Sequence, residues 1–219
     1  TNGVTLITDY VDTVETVSVG MWVHVGARNE TNKNNGVAHL LEHMAFKGTK
    51  NRSALQIAEE VEMIGGQVNA YTSREITAYY MKVLKEDIST SVDIISDILQ
   101  FSSFDSKELN RERGVILQEI GMYLDTPDDL VFDKWQETAF PDQPMGRSIL
   151  GKTDIIKNIQ REEVRGFMYD FYNPKKMVVS AAGKIDHNDF VDRISKACNK
   201  LPLGKNYNRQ PAKYISGEY

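Results

Sequence analysis

The sequence is poor in cysteine, in histidine and in clustered positive charge, and each shortage removes a class of function. Cys198 is the only cysteine, which rules out an internal disulfide and a cysteine-based zinc site and fits a reducing compartment. No apolar run approaches the ~20 residues needed to cross a bilayer, so no membrane partner is expected. With a formal charge of -5 and dispersed basic residues, nucleic acid is not an expected partner either. Internal repeats and low-complexity linkers are also missing. What remains is 219 residues, 41% hydrophobic and 26% charged, a globular composition long enough for one large domain or two small ones. Asn29-Glu-Thr31 and Asn51-Arg-Ser53 match the glycosylation pattern, but three letters carry little weight. The chain starts at Thr1 without methionine and stops in "YISGEY", which reads as the start of a strand. A piece of a longer protein is expected.

Residues Val4 to Tyr10 and Thr16 to Gly26 alternate and are rich in Val and Thr, the strand signal. Ser53-Ala-Leu-Gln56 is a capping box that opens a helix closed by Gly65-Gly66. "QVNAYTSREITAYYMKVLK" reads as two strands joined at Ser73-Arg74. A long helical region from Glu86 to about Phe140 is divided into three by Ser102 to Ser106 and by Thr126-Pro127. Asp105, Thr126 and Thr153 are candidate N-caps. A helix at Glu162 to Phe171, a strand at Met177 to Gly183 and a helix at Asn188 to Leu201 complete the pattern. Strand pairs separated by helical pairs predict an α+β fold, a two-layer sheet with helices packed on one face.

One motif is a decoy. Gly146-Arg-Ser-Ile-Leu-Gly151-Lys152-Thr153 spells the phosphate loop G-x-x-x-x-G-K-T. That loop works only when a buried strand delivers it to a helix N-terminus whose N–H groups cradle phosphate. Here "TAFPDQPM" precedes it, with two prolines and no strand, and the helix after Thr153 is short.

The stretch "GVAHLLEHMAFKG", Gly36 to Gly48, holds two of the four histidines. On a helical wheel Val37, Leu40, Leu41, Met44 and Ala45 form the core-facing stripe. His39, Glu42, His43 and Phe46 fall on the opposite side, which ought to be wet and bland. His39 and His43 are four apart, so both imidazoles can reach one ion, with Glu42 at their flank. Neutral imidazoles ligate zinc, while a nearby carboxylate that is not a ligand takes a proton from water. The ordered H-x-x-E-H is rare enough to place this reading ahead of a pair of solvated histidines. A catalytic zinc usually takes a third protein ligand. The helix "DSKELNRERGVILQEIGMYLD" offers Glu108, Glu112 and Glu119 on one flank of a stripe of Leu109, Ile116, Ile120 and Tyr123. Glu108 reads as a solvated charge, and spacing alone does not choose between Glu112 and Glu119.

The inverted H-x-x-E-H, the following "MAFKGT", the segment "GGQVNAYTSREITAYY" and "ERGVILQEI" at its spacing together resemble the M16 (pitrilysin-like, inverzincin) metallopeptidases. The likeness is strongest to the branch of bacterial processing-protease homologues and the catalytic β subunit of the mitochondrial processing peptidase, and it runs over essentially the whole chain. It implies that His39, His43 and Glu119 bind zinc, that Glu42 is the general base, and that Glu112 supports a histidine ligand from behind. It also implies two related domains that close around substrate. Residues 1–219 would then be a single zinc-bearing N-terminal domain, and a C-terminal M16 domain, absent from this chain, would cover the site. A fragment lacking that cover is expected to be a weak peptidase.

By the same resemblance, "QVNAYT" is an edge strand to which an extended peptide adds through Asn69 and Ala70, and Phe46 lines the pocket after the scissile bond. Packing beneath a loop is the plainer role for Phe46, and a turn preference the plainer one for Asn69. Asp129 and Asp133, four apart, correspond to acids that bind an arginine two residues before the cleavage site, although Asp129 also suits the first turn of its helix on dipole grounds. The reading is therefore a zinc endopeptidase acting on extended or presequence-like peptides. The alternative is a noncatalytic M16-type partner subunit, like the respiratory core proteins, which usually lose part of the zinc motif. A bacterial cytoplasm or a mitochondrial matrix is the expected compartment.

Overall fold

The computed structural model describes residues 3–215. Its strands form one mixed sheet in the order β1 (Thr5–Tyr10), β5 (Met177–Gly183), β2 (Thr16–Val23), β4 (Thr77–Leu84) and β3 (Gln67–Thr72). Only the β1–β5 pair is parallel. Because side chains alternate along a strand, Val17, Val19, Met21 and Val23 of β2 and Thr77, Tyr79, Met81 and Val83 of β4 all turn to one face and are buried. On the other face Ser18 and Lys82 are exposed, and Trp22 stacks on Tyr80.

The helices are α1 (Val37–Ala45), α2 (Ala54–Met63), α3 (Ile88–Phe101), α4 (Ser106–Leu124), α5 (Pro127–Ala139), α6 (Thr153–Ile156), α7 (Arg161–Phe171) and α8 (His187–Ala197). α3 lies on β2 and β4 and carries α8, while α1 is packed among β3, α4 and α7. The two-layer α+β architecture expected from the sequence is the one found. No helix among the described residues is long and apolar enough to cross a membrane.

The local signals explain most boundaries. Ser53 and Gln56 close a reciprocal capping box, and the Asp105 carboxylate accepts the N–H groups of Lys107 and Glu108. Four expectations need correction. Thr153 is the first residue of α6, and Lys152 holds the cap position. Thr126 stands at the cap of α5, but its hydroxyl donates back to the Met122 carbonyl and caps nothing ahead of it. β2 stops at Val23 because the chain then enters a 3-10 turn, Ala27–Asn29, whose Ala27 and Arg28 N–H groups donate to the carbonyls of Ser73 and Arg74. α8 ends at Ala197, short of Leu201, because Gln100 takes over: its amide donates to the Ala197 carbonyl and its oxygen accepts the Lys200 N–H. Of the strand expected in "YISGEY", residues 216–219 lie outside the described residues. Tyr214 and Ile215 are not in a strand, and the Ile215 N–H donates to the Ala139 carbonyl.

Candidate metal centre

Burial of Val37, Ala38, Leu40, Leu41, Met44 and Ala45 sets the rotation of α1, the larger of these side chains contributing ~1.5–3 kcal/mol each. His39, Glu42 and His43 are thereby turned away from the core, but the face they occupy is not wet. β3 and α4 cover it, leaving the His39 and His43 side chains only 14% and 17% exposed. The anchor on the other side is α4, where burial of Leu109, Ile116 and Ile120 brings Glu112 and Glu119, two turns apart, to the same flank as α1.

The imidazoles of His39 and His43 meet edge to face with centroids 4.6 Å apart. Glu119 Oε2 lies 3.9 Å from His39 Nε2 and 3.7 Å from His43 Nε2. These separations are too long for hydrogen bonds and close to the edge, about 3.3 Å, of a tetrahedron built on zinc–ligand bonds of ~2.0–2.1 Å. Glu119 Oε2 is buried without a hydrogen-bond partner, as is His39 Nδ1. Among the described residues, His39, His43 and Glu119 form the one group of such side chains whose donor atoms all lie within 4.8 Å of one another. Two imidazoles and a carboxylate around an orphaned oxygen fit a divalent zinc ion.

Glu112 stands behind this trio. Its Oε2 accepts the His43 Nδ1–H at 2.9 Å and its Oε1 accepts from the Lys47 ammonium at 2.8 Å. Donation from Nδ1 leaves the His43 Nε2 lone pair facing the trio. Burial pushes the Glu112 carboxyl up, but Lys47 and His43 outweigh it and hold the group below the ordinary range. Burial, helped by His43, pushes His39 down to about 4, so its imidazole is neutral near pH 7. Glu42 is not among the three converging donors. The Thr72 hydroxyl donates to its Oε2 at 2.6 Å, which partly offsets a burial effect that raises its pKa.

Beside the trio opens a cavity of about 320 Å³ bounded by Glu42, Ala70, Thr72, Asp133 and the Ser148–Leu150 loop. Ala70 and Thr72 share the inner side of β3. Asn69 is exposed on the other side, with its side-chain Oδ1 accepting the Ala70 N–H at 2.8 Å. β3 is an edge strand, as expected. Phe46 does not border the cavity; it packs on the core, its ring 6.3 Å from Tyr79. Asp133 does border it, but its carboxylate pairs with Arg74 at 2.6 Å. Asp129 is exposed, and its backbone carbonyl accepts the Tyr123 hydroxyl, near which the Asp133 carboxylate also lies. Glu108 pairs with Arg111 away from the trio. Thr72, Lys47 and Arg74 were not anticipated. Lys47, one turn after His43, could have been found from helical spacing, whereas Thr72 and Arg74 act across tertiary contacts.

The family model described as Insulinase (Peptidase family M16) matches residues 5–153, and one described as Peptidase M16 inactive domain matches residues 158–218. The chain belongs to peptidase family M16. Similar M16 relatives include an "Uncharacterized zinc protease" of Rickettsia bellii, 44% identical over 99% of this chain and 52% of the relative. Another is the mitochondrial-processing peptidase subunit beta of Saccharomyces cerevisiae, 45% identical over 92% of this chain and 44% of the relative. The crystal structure of the first half of the periplasmic protease PqqL from Escherichia coli superimposes with a TM-score of 0.88 at 25% identity, covering 97% of this chain and 47% of that one. This M16 chain thus spans about half the length of the relatives it matches, and zinc is the metal its donors and its family share.

Proposed function

We propose that this chain is the zinc-bearing half of an M16 endopeptidase, with His39, His43 and Glu119 as metal ligands, Glu112 orienting His43, and Glu42 as general base. The observation that carries the reading is the separation of roles among neighbours: three donors converge on one point while Glu42, adjacent to His43, is held aside by Thr72. Bound zinc would polarise the scissile carbonyl and make water nucleophilic near neutral pH. Glu42 then takes the proton from the attacking water and returns it to the leaving amine. Thr72 fixes one carboxylate oxygen, so the other is the one available. The substrate is an extended peptide that adds to β3, and for this the Ala70 N–H exchanges its Asn69 partner for a substrate carbonyl. An arginine of a presequence-like substrate would meet Asp133 only by displacing or sharing Arg74.

Residues 158–218 supply β5, which lies between β1 and β2, so we read the whole chain as one domain. A second domain or subunit of the family supplies the rest of the substrate cleft, and the isolated chain cleaves peptides more slowly than the two halves together. The test is Glu42→Gln, with zinc content and peptide hydrolysis measured on the same preparation. Metal is expected to stay while turnover falls at least ~100-fold, the lower end for losing an acid or base. Near-normal turnover would remove Glu42 from the mechanism.

A further inference from the structure

The decoy loop and the metal helix meet at a buried carboxylate that neither motif contains. Glu30 is 4% exposed. Its Oε1 accepts the Ala38 N–H at 2.8 Å, and its Oε2 accepts the Gly36 N–H at 2.9 Å and the Asn35 side-chain amide at 2.8 Å. The two backbone groups belong to the N-cap and the first turn of α1 and have no partner inside the helix. The same Asn35 amide also donates to the Ser148 carbonyl at 3.0 Å, and the Arg147 guanidinium donates to the Glu30 carbonyl. Two glycines let the backbones approach. Gly36 has φ +96°, and a Cβ on Gly151, at φ +81°, would stand 2.4 Å from the Asn35 carbonyl oxygen. Glu30 itself follows the 3-10 turn pinned to Ser73 and Arg74 at the end of β3.

We propose that Glu30 is a positioning residue for the metal centre: its carboxylate fixes the first turn of α1, and with it His39, against the 146–152 loop that walls the cavity. The chemistry favours this over simple capping because the contacts run three ways. The N–H of Ala38, next to His39, is held directly. The cavity wall is held through Asn35 and Arg147, and the end of β3 through the 3-10 turn. A helix register error of a few tenths of an ångström at Ala38 reaches His39 undiminished, since His39 Nδ1 has no hydrogen bond of its own to correct it. His43, by contrast, is held independently by Glu112. Glu30 is thus for His39, through the backbone, what Glu112 is for His43 through the ring.

The inference rests on His39 being a ligand, so His39→Ala in the same assay tests that reading separately. The experiment is zinc competition against a chromogenic chelator at about pH 8, where carboxylates and neutral imidazoles prevail, on wild type, Glu30→Gln and Asn35→Ala. Ile194→Ala serves as a control, since it opens a cavity under α8, away from the centre. Gln keeps one acceptor oxygen but turns an NH2 group towards at least one of the three donors. Expected is a loss of zinc affinity of about 10–100-fold in Glu30→Gln, the range for removing a support behind a metal ligand. Asn35→Ala is expected to lose several-fold, and Ile194→Ala to stay within about twofold despite its lower melting temperature. Amide exchange in the metal-free protein is expected to quicken from Val37 to Leu40 in Glu30→Gln and not in the control. If Glu30→Gln does not fold, Asn35→Ala decides. Wild-type zinc affinity in the folded variants, or a loss matched by Ile194→Ala, overturns the proposal. Unchanged affinity in His39→Ala would instead overturn the ligand assignment beneath it.

Discussion

Two short stretches of this chain spell well-known signatures, His39-Leu-Leu-Glu-His43 and Gly146-Arg-Ser-Ile-Leu-Gly-Lys-Thr153, and only the first has the element its chemistry needs. The histidines sit on a nine-residue helix, so a spacing of four becomes convergence on one point. Gly146 closes a 3-10 turn, Pro144–Gly146, and Gly151 stands before a helix of four residues, so the spacing of the phosphate loop delivers nothing to bind phosphate. Its glycines are used for close backbone approach instead: a Cβ on Gly146 would lie 2.3 Å from the Phe140 carbonyl oxygen. A motif is informative only in the element that converts its spacing into geometry.

The comparison can be broken first at α4. Glu119→Ala is expected to weaken zinc binding by at least ~1000-fold, more than the 10–100-fold typical of a supporting carboxylate, which is the loss expected for Glu112→Gln. Chelator competition measures both, and equal losses would erase the distinction between ligand and support. The loop is tested next. Gly151→Ala forces a side chain into a positive-φ position against Asn35, at a cost of at least ~2 kcal/mol in urea unfolding, while magnesium and ATP leave the melting temperature of wild type and variant alike unchanged. Stabilisation of the wild type by nucleotide would restore the phosphate-loop reading. The smallest effect is expected where both regions face the cavity. Asp133→Asn should reduce the preference for an arginine peptide over its Arg→Ala counterpart by less than tenfold in kcat/KM, because Arg74 already occupies part of that carboxylate. Equal losses on both peptides would leave Asp133 a purely structural partner of Arg74.

What was legible follows the same division. Strand alternation in β2 and β4, the Ser53 capping box and the break at Thr126-Pro127 are local, and the structure keeps each of them. Helix C-termini were less readable: α8 stops where Gln100, almost a hundred residues earlier, supplies competing hydrogen bonds. At the centre, the helical spacing of His39, Glu42 and His43 was visible, but the choice between Glu112 and Glu119 was not, because both lie on one face of α4 and only the approach of α1 separates them. Thr72 and Glu30 were invisible for a related reason: each acts on α1 from another element. The wheel set His39, Glu42 and His43 opposite the core but not what covers them, because a wheel knows one neighbour of a helix, and α1 has several.

The position of β5 has a consequence for how the polypeptide can be divided. The two family models meet between residues 153 and 158, which invites treating that point as a seam between modules. Yet β5 comes from the later part and is the strand paired with β1 in the sheet, and it also covers one edge of β2. A chain cut at the seam would leave β1 with no ladder and β2 with an open, apolar edge of the kind that recruits other strands. The boundary that separates the two sequence patterns therefore runs through a single five-stranded sheet, and a division there parts β5 from both strands it pairs with.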